Sequence, residues 1–458
     1  MSVAASGFPR LPRQVACRFA LPYIASGMSE SSGAPAAHRE GAPEAALKKG
    51  ITLRHAVAMY VSSVLGSGVL VLPGLAAHLA GPASLVAWVV LSVASFPFAW
   101  TFASLSARNP ESGGVYAFAK EAFGPGAAAA AGWLFGLWYI AGAPAVVLIA
   151  ASYLGFAFPL SRLEMHLVAC AVILVPYVIN LRGIVFSSRV QLGIVVAIGA
   201  LLVLAVAFNI GSVRAEAFRP FMPNGLLPVG TAAALIFWSY LGYENVSNVA
   251  EEFADPKRDF RRSVVLSVVV IGLLYLSVAV VTVGTRSWEA GASVAPFAAL
   301  FSRVLGSLGA AGTAILAVVI IFATVNAYTA GMSRVFLAVA RDGSLPRGLA
   351  QVNARSGVPA RSLHILTALA MVMLLVYYVF DFDLQTALLI PSGAAILVYV
   401  VGSAAGIKLL HPRGPARALP WISLVMSVVV LPFVGPLALA ALLFGAAGML
   451  YSRFARRR

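Results

Sequence analysis

The sequence predicts an all-α polytopic membrane protein with twelve transmembrane helices. The first ten form a 5+5 inverted repeat in which helices 1 and 6 are broken at mid-membrane, and two helices are appended. Three observations carry this reading. Charged residues make up only 10% of the chain against 60% hydrophobic, where a soluble chain carries about 25% charged. Ten stretches of at least seventeen residues contain no Asp, Glu, Lys or Arg: 55–107, 122–161, 165–181, 190–213, 220–243, 263–285, 304–333, 362–380, 384–407 and 418–452. A helix crosses the ~30 Å hydrocarbon layer with roughly 20 apolar residues. The first and last stretches hold two crossings each, divided at Gly81-Pro82 and at Pro432 to Pro436. The third observation is the distribution of charge. With the N-terminus inside, only Arg162, Arg214, Arg219, Arg286 and Arg303 of the 32 Lys and Arg fall on the outer side, Arg334 lies within a span, and the rest are inner. That is the positive-inside rule over short loops.

Taken in order, the spans run roughly 54–79, 83–107, 128–157, 163–180, 187–209, 228–250, 263–284, 308–340, 363–380, 384–408, 418–433 and 437–453. Residues 1–50 are rich in Ala, Ser, Gly and Pro without sustained periodicity, and are expected to be a disordered cytoplasmic tail. Met28 is a candidate natural start. The core is expected over 51–409, with helices 11–12 and a basic cytoplasmic C-terminus over 410–458. The outer segment 290–302 is a candidate interfacial helix. An even number of spans puts both termini in the cytoplasm of a cell-membrane protein. The net charge of +16 therefore reads as topology and attraction to anionic lipid. Nucleic acid is not expected as a partner, because no basic domain lies outside the membrane. Cys17 and Cys170 fall in a tail and a span, so no disulfide and no metal site follow; no cofactor is expected.

Two spans depart from ordinary membrane helix. Span 1 carries Ser62-Ser63-Val64-Leu65-Gly66-Ser67-Gly68, and span 6 carries Trp238-Ser239-Tyr240-Leu241-Gly242-Tyr243-Glu244-Asn245. Backbone freed from helical bonding at that depth must be buried in protein or line a cavity. Interrupted segments at matching places in two halves point to a transporter's central site. Gly66 and Gly242 lie 176 residues apart, each in the first span of a five-span block, which is the origin of the inverted-repeat expectation. The plainer reading of Gly66-Ser67-Gly68 is tight helix packing through small residues.

The residues around these breaks resemble the amino acid–polyamine–organocation (APC) superfamily over about 54–410. Gly66-Ser67-Gly68-Val69 with Leu72-Pro73 is similar to its first-helix signature, and Asn109-Pro110-Glu111-Ser112-Gly113-Gly114-Val115-Tyr116 to its first cytoplasmic loop. Phe237-Trp238, Gly242, Glu244, Glu251-Glu252 and Asp255-Pro256-Lys257-Arg258 resemble its sixth helix and following loop. Ala330-Gly331-Met332-Ser333-Arg334 with Arg341-Asp342-Gly343-Ser344-Leu345-Pro346 resembles the end of its eighth. The wording around Phe237-Trp238 and Asp259-Phe260 is nearest to a bacterial branch that exports methionine and branched-chain amino acids.

A zwitterion needs a site for each charge a few ångströms apart. Free N–H groups at a half-helix N-terminus favour a carboxylate, and free carbonyls at a half-helix C-terminus favour an ammonium. The carboxylate is assigned to Gly66, Ser67 and Gly68. The ammonium goes, by the resemblance, to carbonyls of Val64, Trp238 and Leu241, near Gly242. Trp238 reads as a pocket wall or gate, or as an ordinary core aromatic. Asn326, Tyr328 and Ser392 are further pocket candidates, with interhelical hydrogen bonding as the alternative for each. Glu244 is the one acidic residue placed at bilayer depth, where insertion scales charge about 2.5–3.5 kcal/mol for an Asp. Its expected role is proton coupling, and the alternative is a brace between the breaks. Span 5 lacks the lysine that replaces sodium in some members, while Thr324 and Ser333 offer hydroxyls to sodium. With no second embedded carboxylate and no embedded cation at mid-span, a neutral, hydrophobic amino acid is the expected substrate, carried by alternating access. Export or exchange with sodium or without an ion, and a polyamine or other amine as substrate, stay open, as does a monomer or homodimer. A membrane enzyme is disfavoured, because one embedded glutamate supplies neither paired His or Asp residues nor a Ser with its base. The cluster Glu251, Glu252, Asp255, Lys257, Arg258 and Arg262 reads as an inner gate or a solvated loop.

Overall fold

The computed structural model describes residues 47–158, 160–289, 306–382, 384–411, 414–434 and 436–455. The tail up to 46 with Met28, and the segment 290–302, lie outside the described residues. Among the described residues the chain is helical, without a strand, and ten helices are long and apolar enough to cross a membrane. This is a multi-pass membrane protein. Its outward surfaces agree: Val196, Phe208, Leu273 and Val372 are all more than half exposed, on faces that water would not tolerate but lipid does.

The first crossing is divided. Helix α1, Leu53–Val64, ends at mid-span and α2, Ser67–Ala80, begins after the two residues Leu65 and Gly66. A 3₁₀ turn at Gly81–Ala83 then leads into α3, Ser84–Arg108. The apolar run Leu72–Arg108 has 37 residues, about 55 Å of helix at 1.5 Å per residue, so the turn at Pro82 has to divide it. The connection after α3, expected as loop, holds a short helix, α4, Val115–Phe123. Gly113 and Gly114 precede it with φ of 103° and 49°, backbone that glycine adopts without strain.

Helix α5, Pro125–Ala157, runs through the middle of the molecule and packs against α10, α12 and α14. Helices α6, Arg162–Leu181, and α7, Ile184–Ile210, complete the first half. Helix α8, Leu226–Phe237, stops at a 3₁₀ turn, Trp238–Tyr240, and the chain resumes as a 3₁₀ segment, Asn245–Glu252, kinked at Val249. The α-helix expected to resume there does not form. Asn245, Ser247 and Asn248 compete for backbone hydrogen bonds and are all fully buried. Then follow α9 Pro256–Gly284, α10 Ser307–Arg341, α11 Ala360–Val379, α12 Leu384–Leu409, α13 Ala418–Val430 and α14 Pro436–Ala455.

One end of the bundle is tied shut. The Gly50 and Ile51 amides donate to the Glu252 carbonyl at 2.9 and 3.0 Å, and the Ala254 amide returns to the Ile51 carbonyl at 2.9 Å. Beneath this stitch Arg334 and Glu252, both wholly buried, form a two-pronged ion pair at 2.7 and 3.1 Å. Glu252 is therefore a second buried carboxylate rather than part of a solvated loop. Arg341 and Glu251 pair at 3.5 Å. Lys120 and the Tyr116 hydroxyl converge on Asp342 at 2.5 and 2.7 Å.

Candidate functional site

The two interruptions face each other across a cavity. At the first, Val64 closes α1; the Leu65 amide still reaches the Val61 carbonyl, and the Gly66 amide folds back onto the Val64 carbonyl at 2.7 Å. The first amides of α2 then have no intrahelical acceptor and form the positive end of a half-helix. At the second, the Leu241 amide returns to the Trp238 carbonyl at 3.3 Å and Gly242 takes a φ of 133°. The last carbonyls of α8 are the negative end of the other half-helix.

Glycine lets the breaks touch. A Cβ on Gly68 would stand 2.3 Å from Ser239 Oγ, and one on Gly242 would stand 2.7 Å from the Ser63 carbonyl oxygen. Both distances are closer than a real Cβ comes to an oxygen. The Tyr275 hydroxyl lies between the breaks, shared by the carbonyls of Val64 at 2.8 Å and Ser239 at 3.1 Å. The Asn245 amide nitrogen donates to Ser63 Oγ at 3.0 Å, and Thr324 Oγ1 donates to the Ser62 carbonyl at 2.8 Å. Ser239 Oγ, beside the start of α2, is buried without a hydrogen-bond partner.

Of the residues expected at the site, Val64, Gly66, Gly68, Trp238, Leu241 and Tyr328 line this cavity. The Ser67 side chain lies outside the described set. Gly242 sits behind the wall, its amide donating to Tyr399 Oη at 2.7 Å and to Glu244 Oε2 at 3.1 Å. Asn326 is turned away into a buried polar cluster with Asn180, Ser187 and Gln191 between α6, α7 and α10. Thr324 and Tyr328, one helical turn apart, face the cavity, and a residue two positions from either is rotated by about 200°. Ser392 is buried, and its neighbour Pro391 is the α12 residue on the wall. Glu244 is fully buried behind the lining and accepts from the Tyr328 hydroxyl at 3.1 Å. The Tyr399 hydroxyl also bonds its carboxylate.

The rest of the wall escaped sequence reasoning. It is one face of α5, Trp138, Tyr139, Gly142, Ala143 and Val146, completed by Val325 on α10. The i, i+4 spacing of Trp138, Gly142 and Val146 on an unbroken helix is its trace in the sequence. Among the described residues the cavity thus offers two helix ends of opposite sign, the unpartnered hydroxyl of Ser239, the partnered hydroxyls of Ser63 and Thr324, and a largely aromatic and aliphatic surface.

A sequence model of the amino acid permease family matches residues 51–454. An uncharacterized amino acid permease of Bacillus subtilis, YecA, is 33% identical over 407 residues, covering 89% of this chain and 96% of that protein. The L-methionine/branched-chain amino acid exporter YjeH of Escherichia coli is 30% identical over 404 residues, 87% of this chain and 94% of that protein. The branched-chain amino acid permease BcaP of Bacillus subtilis is 28% identical over 338 residues, 69% of this chain and 72% of that protein.

Proposed function

Because the chain belongs to the amino acid permease family, we propose that it is a secondary carrier of neutral, hydrophobic amino acids. It works by alternating access around the cavity between its two broken segments. The observation that carries this is the pairing of a half-helix N-terminus at Ser67 with a half-helix C-terminus at Phe237 across an apolar pocket. The carboxylate sits against the amides of Ser67 and Gly68 and the spare hydroxyl of Ser239, the Gly66 amide being turned back onto the Val64 carbonyl. The ammonium sits against the carbonyls of Trp238 and Leu241, since that of Val64 already accepts from Gly66 and Tyr275, and the side chain sits against Trp138, Val146 and Trp238. Among the described residues the pocket lining has no ionised side chain to complement a cationic or acidic substrate. Two relatives are named for methionine or branched-chain substrates, the same class.

In this reading α1 with α2 makes one crossing and α8 with 238–252 another. The other helices from α3 to α14, apart from the short α4, make ten more, in two inverted blocks of five plus two. The core is 51–409, both termini face the cytoplasm, and the protein resides in the cell membrane. The tied end is then the inner end, and the coupling ion is a proton held at Glu244 and passed to the pocket through Tyr328.

Thermal stability of the purified chain against each amino acid is the test, since a ligand at a hundred times its dissociation constant stabilises by about 2.7 kcal/mol. Methionine, leucine, isoleucine and valine raise the melting temperature, and arginine, aspartate and putrescine do not. A shift with only a charged amino acid or a polyamine overturns the substrate class.

A further inference from the structure

A second hollow opens on the side of the bundle, between the loop after α10 and the first turns of α11. It is lined by Phe336, Leu345, Leu349, Ile365 and Leu369, with the carbon atoms of Arg361 and His364 completing an entirely apolar wall. Arg347 lies between two of its lining residues and is exposed. The groove follows α11 from Arg361 to Leu369, about 12 Å of helix, against ~15 Å for the hydrocarbon layer of one leaflet. It opens onto the ridge Ile365, Val372, Leu375 and Val379, each between 44% and 63% exposed and all apolar. That ridge is a lipid-facing surface, so the groove is reached from the bilayer.

Charge is one-sided here. From 343 to 380 the chain carries Arg347, Arg355 and Arg361 and no carboxylate. The adjacent Asp342 is held by Lys120 and Tyr116. Among the described residues Arg361 reaches only the Gly348 carbonyl, at 3.5 Å, and His364 shares its Nδ1 with the Tyr177 hydroxyl at 2.9 Å. The N-terminus of α11 adds the positive end of its dipole. Basic pockets between membrane helices suit anionic headgroups, and an apolar channel of this depth suits an acyl chain.

We propose that this groove binds one anionic glycerophospholipid, its phosphate among Arg347, Arg361 and His364 and one acyl chain against Phe336, Leu349 and Leu369. The assignment rests on the chain crossing a bilayer and not on what it carries, so it stands or falls apart from the transport reading.

The test is a titration of the purified full-length protein in detergent with phosphatidylglycerol, phosphatidylcholine or inorganic phosphate, read by thermal stability and by native mass spectrometry. Phosphatidylglycerol raises the melting temperature and leaves one retained lipid. Phosphatidylcholine and inorganic phosphate do neither. Arg347→Gln with Arg361→Gln weakens phosphatidylglycerol about thirtyfold, from about one tenfold step or less per surface arginine, whereas Arg453→Gln at the far end of α14 leaves it unchanged. Leu369→Trp, which fills the channel and keeps both arginines, removes the retained lipid. Equal effects of the two lipids, an undiminished effect in the arginine variant, or an equal effect of inorganic phosphate overturns the proposal.

Discussion

The hydroxyl of Tyr275 lies 2.8 Å from the carbonyl oxygen of Val64, the last residue of the first half-helix. The same hydroxyl is 3.1 Å from the Ser239 carbonyl of the second break. A single proton on α9 thus serves acceptors on both interrupted segments, and Tyr275 is fully buried against Trp88 and Tyr240.

Tyr275→Phe removes that donor and keeps the ring packing. Leaving a buried acceptor without its partner costs about 1–3 kcal/mol, so the melting temperature falls. Uptake falls further than stability does, because both half-helix ends are loosened. Transport in proteoliposomes beside thermal unfolding of the same preparation measures the two effects.

Gly68→Ala abolishes substrate binding in a protein that still inserts and folds. Its Cβ would meet Ser239 Oγ at 2.3 Å and Ser239 Cβ at 3.0 Å, so the gap between the breaks must widen. Adding Ser239→Gly removes both contacts and restores part of the binding, read by ligand-induced thermal shift.

Glu244→Gln keeps an acceptor for the Tyr328 hydroxyl and for the Gly242 amide but takes no proton at neutral pH. Exchange of labelled for unlabelled amino acid continues, and accumulation driven by a pH gradient stops. Accumulation that persists in this variant assigns the carboxylate to bracing instead.

Breaking the Arg334–Glu252 pair from one side leaves a buried charge unpaired, which costs about 3–5 kcal/mol. Glu252→Gln and Arg334→Met are each strongly destabilised by that amount, and the double variant recovers much of it. Chemical denaturation or thermal melts of the three proteins close the cycle.

Trp138→Ala enlarges the pocket from the α5 side and shifts preference toward bulkier aromatic substrates. Competition by phenylalanine and tryptophan against labelled leucine measures the shift.

The limits of the helices were legible in the chain because Arg and Asp interrupt an otherwise uncharged sequence, and charge is expensive in hydrocarbon. The breaks were legible because Gly66-Ser67-Gly68 and Gly242-Tyr243-Glu244 place flexible and polar groups where a continuous helix would carry aliphatic ones. The α5 wall had no such mark. Trp138, Tyr139 and Gly142 lie on a helix with apolar residues on every side, and only the packing of its neighbours selects the face that meets the cavity. Asn326 carried two readings, pocket residue or interhelical hydrogen-bonding residue, because a polar residue in a membrane helix needs a partner, and here Asn180, Ser187 and Gln191 supply it away from the cavity. Glu252 was masked by the charges around it, since a carboxylate among Glu251, Asp255 and Lys257 looks solvated until Arg334 is placed against it.

The stitch between residues 50–51 and 252–254 makes the start of the described chain a handle on a hidden part of the machine. Three backbone hydrogen bonds join the two, so they travel together or all three part. A dye attached at the exposed Lys49 would follow the excursions of Asn245–Glu252, a stretch packed too tightly to carry a label of its own.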